Sequence, residues 1–557
     1  MPARVVNSRL RLLLFVILLT FAALGARAAW IQTVRASSLA GMAQAQTKAD
    51  LVLQAGRGTI YDRLGKPLAI GEQATDVIAN PMQIADPKHE ARVAARVLGI
   101  PAGPIYRHLA DRSRGFVYVQ RKAPAGRAAA LSKRNLPGFT FASDERRVYP
   151  QGTVAAPVLG YAGLDNTGLA GLELELNKEL SGTPGSATVV RDALGQAVDT
   201  TQQRAAHDGR DVFLTLDSHI QANAEQVLKQ TVRQWHARDA TAIVLDPHTG
   251  AVLAMAQEPG YSANYFPQAT KHGLTVDHAV NDVFEPGSVF KVVTIGGALS
   301  EHKVTPRTSF VLPPEIRVAD RVVHDAEIRP TERMTVAQIL ERSSNVGAIT
   351  IAERYLGQSG LERWMARFGF GRRTGIDFPG ESPGLLPSYW SGSTIGNVPI
   401  GQGVSVTSIQ LASVYAAIAN GGEWIQPHLV DRVLGAQPLR LQRRRILAPS
   451  IDRELRTMLK GVVSDQGTAQ LAAIPGYTVA GKTGTAQKPG PHGYIPGAYV
   501  ATFVGMVPAS HPRLVVLVSV DEPRGEIYGG LVAAPAFEQI ASFDLQYLEV
   551  PPDLRIR

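Results

Sequence analysis

Phe284-Glu285-Pro286-Gly287-Ser288-Val289-Phe290-Lys291 is the stretch on which the reading of this 557-residue chain turns. A Pro-Gly break leads into a serine and a lysine three residues apart, then into the apolar run Val292, Val293, Ile295, Ala298 and Leu299. The pattern predicts a helix that starts at the break, with Ser288 in its first turn. Positions i and i+3 share a helix face, so the Lys291 amine can reach the Ser288 hydroxyl. The unpaired N–H groups and positive dipole end of the helix N-terminus lie beside the pair. This is one way to activate a serine nucleophile without a histidine. S-x-x-K also arises by chance in long chains, and alone it reads as an ordinary helix start.

Composition narrows the classes. Apolar residues make up 45% and charged residues 19%, a globular balance, and the net charge is +9. No zinc-finger, RNP-type or basic-zipper pattern accompanies the excess of basic residues, so no nucleic-acid partner is expected. The tightest basic cluster, Arg440 to Arg445, reads as a solvated loop or an anionic-partner patch. With no cysteine there are no disulfides or thiolate metal sites, and no H-E-x-x-H or histidine set suggests another metal; neither metal nor cofactor is expected.

Arg4, Arg9 and Arg11 precede an uncharged run from Leu12 to Ala26, and Arg27 and Trp30 follow. The run reads either as a cleaved signal peptide, with Ala26-Arg27-Ala28 at the cleavage site, or as a single anchor helix with Arg27 and Trp30 at the interface. Both place the rest of the chain outside the cytoplasm. Residues 32–53 read as a helical stalk, and Arg57 to Ala69 as strand, turn at Asp62 to Gly65, strand. Residues 87–135 hold mainly helical pieces. Ser218 and Gln221 form a possible capping box, and a hairpin flanks Asp246 to Gly250. A long, mainly helical section covers roughly residues 288–465. Strands are expected at Tyr477 to Ala480, Tyr499 to Met506 and Leu514 to Val520, with a last helix from Ala533 to Leu548. The expected fold class is α+β, a mostly antiparallel sheet flanked by helices on an extended α+β N-terminal module.

Two further motifs follow Ser288. Ser343-Ser344-Asn345 comes after a predicted helix over Val336 to Arg342, and also reads as a plain helix cap. Lys482-Thr483-Gly484-Thr485 has a rival: Gly476 to Thr483 matches G-x-x-x-x-G-K-[ST], the phosphate-binding loop. Context opposes that rival, because such a loop must open a helix, and Gly484, Pro489, Gly490, Pro491 and Gly493 cannot sustain one.

S-x-x-K, S-x-N and K-T-G in this order, behind an export signal, are far more specific together than apart. The chain resembles the class B penicillin-binding proteins. Arg57 to Ala69 (with Arg57, Gly58 and Asp62), Arg147 to Pro150, and Gly168 to Glu173 look like the three non-catalytic motifs of that class. Gly401-Gln402-Gly403 and Tyr528-Gly529-Gly530, leading to Ala533-Ala534-Pro535, recur in its transpeptidase domain. Asn345 and Thr483 look like the division-specific type, FtsI or penicillin-binding protein 3. No C-terminal repeat domain follows residue 557, which leans towards a Gram-negative divisome enzyme.

The resemblance implies a cytoplasmic tail (1–11), an uncleaved anchor (12–31), a stalk (32–53), a pedestal of the dimerisation-domain kind (54–211), a transpeptidase domain (212–549) and a tail (550–557). It also implies a single-pass inner-membrane protein with a periplasmic catalytic domain, acting on D-Ala-D-Ala stem peptides and acylated by β-lactams. A SEDS-family glycosyltransferase and other divisome membrane proteins are the implied partners. By the same resemblance Ser288 is the nucleophile and Lys291 its base, Ser343 relays a proton, and Asn345 orients Lys291 and the substrate. Lys482, Thr483, Gly484 and Thr485 hold the substrate carboxylate or line the groove. The N–H groups of Ser288 and Thr485 form the oxyanion hole, and the Arg57 and Glu173 motifs brace the pedestal against the catalytic domain. A D,D-carboxypeptidase shares these motifs, and an elongation-type enzyme, the other alternative, more often has Asp and Ser at positions 345 and 483 in a longer chain. A β-lactamase of class A would need an E-x-x-L-N segment after Asn345, which is missing, and a non-catalytic scaffold would have no use for Ser288 and Lys291.

Overall fold

The computed structural model describes residues 3–39, 48–191, 197–491 and 493–554. The chain divides into two compact units: Met1–Gly56 with Gly182–Asp208, and Arg57–Ser181 with Gly209–Arg557.

The first unit begins with helix α1 (Ala3–Thr33), whose Leu-, Ala- and Phe-rich middle has no proline or acidic residue to interrupt it. Its stretch Ser8–Thr33 is long and apolar enough to cross a membrane, the one such helix among the described residues. The Arg27 and Arg35 guanidinium groups lie over the Trp30 ring, 5.5 and 4.8 Å from its centroid. The expected helical stalk is corrected in part. After a helical turn at residues 36–39, residues 40–47 lie outside the described residues, and Lys48–Leu53 is a strand. It pairs antiparallel with Gly185–Arg191, which pairs in turn with Ala197–Arg204. The β-compatible end Leu51-Val52-Leu53 finds its partner more than 130 residues away, and that pairing overrides the local helical preference.

The second unit opens on the expected hairpin, Ile60–Tyr61 against Pro67–Ala79. Asp62 makes its turn: the carboxylate accepts from Leu64 N–H (2.9 Å) and Lys66 N–H (2.8 Å), and Gly65 takes φ +82°. Pro67–Ala79 also pairs with Phe139–Val148 and Val117–Pro124. The latter corrects the helical reading of 87–135: helices Pro87–Leu98, Ala102–Ala110 and Ala125–Ser132 are present, but the β-branched and aromatic Val117-Tyr118-Val119 join the sheet. Strand Val212–Leu214 lies parallel to Ile60–Tyr61 and antiparallel to Val430–Val433, so one sheet joins this module to the rest of the unit.

Beyond it, helix α2 (Ser218–Trp235) packs on a five-stranded antiparallel sheet with strands β1 (Asp239–Leu245), β2 (Val252–Glu258), β3 (Ala480–Gly490), β4 (Gly493–Val507) and β5 (Leu514–Asp521) in the order β2-β1-β5-β4-β3. The α2 cap is Asp217, which accepts from His219 N–H and Ile220 N–H, and not Ser218; Gln221 instead bonds both backbone groups of Met255. The section after Ser288 holds helices α3 (Lys291–Ser300), α4 (Val336–Glu341), α5 (Asn345–Ile351), α6 (Ser408–Ala419) and α7 (Pro449–Gly461), but also short hairpins at residues 309–335. Arg443–Arg445 is a strand paired with Glu423–Ile425 rather than a solvated loop, with Arg444 4.3 Å over the Trp424 ring. The final helix α8 (Ala534–Tyr547) packs with α2 beside the sheet. The third-last strand starts where the sequence reading ends it: β3 begins at Ala480, so Lys482 to Thr485 lie inside an edge strand.

Candidate active site

The serine segment is built as its sequence predicts. Gly287–Phe290 forms one 3-10 turn that passes directly into α3, with Lys291 N–H on Ser288 C=O. Gly287 takes φ +58° and donates its N–H to Gly401 C=O at 3.1 Å; a Cβ on Gly401 would overlap the Gly287 carbonyl oxygen. The Tyr415 hydroxyl donates to Val289 C=O at 2.9 Å, and Phe284 and Val406 exchange both backbone hydrogen bonds. Glu285, which the motif reading passed over, is buried. Its carboxylate accepts from Gly403 N–H and the Tyr494 hydroxyl, each at 2.9 Å, and burial raises its pKa. Ser288 is half-buried, and its hydroxyl has no hydrogen-bond partner among the described residues.

The three motifs meet at Lys291. Its ammonium is buried and donates to Ser343 C=O (2.6 Å), Asn345 Oδ1 (2.8 Å) and Ser343 Oγ (3.2 Å). It therefore reaches the second motif rather than the Ser288 hydroxyl in this state. A protonated lysine has three donors, and all three are spent. Lys482 is equally buried; its Nζ donates to Ser343 Oγ at 2.9 Å and to Thr483 C=O and Oγ1 at 3.3 Å. The two amines thus share one hydroxyl oxygen and lie at most about 6 Å apart, where two full charges would repel by roughly 3 kcal/mol at an effective dielectric constant near 20. Burial pushes the Lys291 pKa well below that of a free lysine, and the Lys482 charge adds to the shift. Burial alone lowers Lys482 to about 7.

Ser343 holds this position at φ +57°, a left-handed conformation that costs a non-glycine residue on the order of 1–2 kcal/mol. Asp325 fixes the loop after it. This buried carboxylate accepts from Ser344 Oγ (2.9 Å), Asn345 N–H and Val346 N–H (3.0 Å), and pairs with Arg329 at 2.7 Å. Ser344 caps α5, and Asn345 Nδ2 donates to His324 C=O at 3.0 Å. Nothing in the sequence singled out Asp325: it lies twenty residues before Asn345 on an irregular segment, and carries no motif.

Strand β3 lies against the serine segment with almost no room between the backbones. A Cβ on Gly484 would sit 2.8 Å from Pro286 O, and one on Gly287 3.0 Å from Thr485 O. Thr485 Oγ1 accepts from Gly529 N–H at 3.2 Å. The backbone runs on as strand to Gly490, so Lys482 opens no helix and the phosphate-loop reading fails on geometry. Arg57, Gly58, Asp62 and Glu173 take no part in this cluster. Arg57 and Arg147 close on Glu173 at 2.6 Å each, fully buried within the pedestal half of the unit. No group of three or more ligating side chains among the described residues is placed to hold a metal ion.

A serine on a helix N-terminus, a buried lysine one turn on, and a second buried lysine on a facing edge strand define a serine acyltransferase of the penicillin-recognising class. The comparisons agree. The penicillin binding protein transpeptidase domain matches residues 240–542, and the penicillin-binding protein dimerisation domain residues 52–214. The chain is 32% identical to the peptidoglycan D,D-transpeptidase FtsI of Escherichia coli over 99% of its own length and 94% of the relative's. It is 31% identical to the probable peptidoglycan D,D-transpeptidase PenA of Neisseria meningitidis, over 98% and 94%. Penicillin-binding protein 3 of Mycobacterium tuberculosis, solved with aztreonam, superposes with a TM-score of 0.71 at 30% identity, over 90% of this chain and 98% of that one. The chain belongs to the class B penicillin-binding proteins and is a serine-type transpeptidase.

Proposed function

We propose that the protein cross-links peptidoglycan stem peptides during septal wall synthesis through an acyl-enzyme on Ser288, and that β-lactams inhibit it by acylating the same hydroxyl. The observation that carries this reading is the pair of buried lysines sharing the Ser343 hydroxyl one helical turn from Ser288. Neutral Lys291 takes the Ser288 proton as Oγ attacks the carbonyl between the two terminal D-alanines. The N–H groups of Ser288 and Thr485 hold the oxyanion, a contribution of roughly 3–4 kcal/mol per donor. Ser343, accepting from both amines, passes its own proton to the departing D-alanine and is resupplied by Lys291 with the one taken from Ser288. The amine of a neighbouring stem peptide then attacks the ester, its proton returns through the same groups, and Ser288 is restored. Asn345 orients Lys291. Lys482, Thr483 and Thr485 recognise the terminal carboxylate, and Gly484 lets the strand approach.

The septal assignment rests on the likeness to FtsI. The same likeness, with the arginines before α1, supports an inner-membrane anchor (12–31) with its N-terminus in the cytoplasm (1–11). In this reading 32–53 is the stalk, 54–211 the pedestal, 212–549 the periplasmic catalytic domain and 550–557 a tail. It also supports partners among divisome membrane proteins, including a SEDS-family glycosyltransferase. Labelling with a fluorescent penicillin tests the chemistry. Wild type takes the label covalently and Ser288→Ala does not; undiminished label on the variant removes Ser288 as nucleophile.

A further inference from the structure

Thr468 lies in the loop after α7, fifteen residues before Thr483, and belongs to none of the motifs. The loop is pinned from both sides: Gly467 N–H donates to Ser464 C=O and Ala469 N–H to Val462 C=O, each at 2.9 Å. A Cβ on Gly467 would overlap the Val462 carbonyl oxygen. One on Gly530 would overlap the Thr468 carbonyl oxygen and sit 3.4 Å from Thr483 Cγ2. These close approaches set the Thr468 hydroxyl 2.8 Å from the Thr483 hydroxyl, which is itself 3.3 Å from Lys482 Nζ. Thr468 is exposed while Thr483 is buried, so its hydroxyl does not fill a core.

We propose that Thr468 is a positioning residue for carboxylate recognition, orienting the Thr483 hydroxyl towards the anionic end of the ligand. The inference rests on the reading of Ser288 and Lys482 given above. A threonine hydroxyl has one proton and two acceptor sites. When a carboxylate takes the Thr483 proton, the Thr483 oxygen still has room to accept, and the Thr468 hydroxyl turns to donate to it. The resulting chain, Thr468 to Thr483 to carboxylate, is polarised in one direction and strengthens each link. Without the Thr468 hydroxyl, Thr483 loses the shorter of its two hydroxyl contacts and keeps only the longer one to Lys482, and the cost falls on anion binding rather than on the attack by Ser288.

Rapid-mixing kinetics on the full chain separate non-covalent binding from acylation, using benzylpenicillin and its methyl ester. Thr468→Val weakens binding of the acid about three- to tenfold, the worth of one hydroxyl hydrogen bond. It leaves the acylation rate constant within about twofold and the ester unaffected. Thr468→Ala gives the same pattern, and Thr468→Ser restores the wild-type constants. Equal losses on acid and ester, a loss in the acylation constant with binding intact, or failure of serine to rescue overturns the proposal. Absence of acylation in wild type overturns the reading of the site and this inference with it; normal wild-type acylation with any of the other failures overturns Thr468 alone.

Discussion

Ser343 Oγ accepts from two amines at once, and that single oxygen holds the two close enough to influence each other's charge. Burial and the Lys482 charge hold the Lys291 pKa well below that of a free lysine, and burial brings Lys482 down to about 7. The second-order acylation rate for a carboxylate-bearing β-lactam is therefore bell-shaped. It rises as Lys291 deprotonates and falls around pH 7 as Lys482 loses the charge that attracts the anion. A rate that climbs without a falling limb up to pH 10 would remove Lys482 from anion recognition. The same shifts carry a stability cost. Both folded pKa values lie below 10.5, so the unfolded chain binds more protons between the folded and unfolded pKa, and stability rises with pH across that window. Lys482→Met loses acylation yet melts higher than wild type, by about 1–4 kcal/mol of stability at pH 6, in line with apolar replacement of buried charge. The gain shrinks as the pH climbs from the folded pKa towards the unfolded lysine pKa near 10.5, because less and less free energy is needed to deprotonate the unfolded side chain. Thermal melts at pH 6 and pH 10 check it; a gain that grows with pH contradicts the assignment.

At the scale of elements, the groove exists because an edge strand and a helix start meet backbone to backbone. Gly484 and Gly287 permit the contact. Gly484→Ala forces its Cβ to within 2.8 Å of Pro286 O, so β3 must move away from Ser288. The expected result is an acylation loss of about tenfold or more, since small misplacements of reacting groups cost on this order. Gly103→Ala, on an exposed helix face with nothing within 4 Å of its Cβ, is the control and gains up to about 1 kcal/mol with no change in acylation. If both variants acylate at the wild-type rate, the close approach is not what sets the groove. The sequence shows why some of this was legible. The order S-x-x-K, S-x-N, K-T-G singles out Ser288, Lys291, Ser343, Asn345 and Lys482, and the fold gathers the motifs around the two lysine amines. Asp325, Glu285 and Thr468 act through contacts made by folding, from segments with no periodicity, and only coordinates join them to the site. The strand reading ended at Ala480 because Gly484, Pro489 and Gly490 look like turn residues. They lie in a strand because β3 is an edge, paired on one side only, where such residues are tolerated.

At the scale of the whole molecule, the pedestal half and the catalytic half of the second unit share a sheet and several buried polar contacts. Asn264 brackets Tyr149, accepting from its N–H at 3.0 Å and donating to its C=O at 2.9 Å, and Tyr161 stacks on Phe266 with ring centroids 4.1 Å apart. Behind Tyr149 lies Glu173, fully buried, with Arg57 on one carboxylate oxygen and Arg147 and the Tyr149 hydroxyl on the other. Arg57 also reaches the Glu173 and Asn166 carbonyls, Asn177 Oδ1 and Ser181 Oγ, so one guanidinium gathers residues spread over 124 positions of sequence. The motif reading identified Arg57 and Glu173 but had no means to pair them. Glu173→Ala strands two buried guanidinium groups, a change that costs about 3–5 kcal/mol, a large part of the net stability of a typical protein. None of the contacts that hold Ser288, Lys291 or Lys482 passes through this network, so acylation per folded molecule stays within about twofold of wild type. Calorimetry and active-site titration on the same sample separate the two quantities. An unchanged melt means that the pair does not brace the fold, and a loss of acylation in the folded fraction beyond tenfold means that the pedestal acts on the catalytic groove.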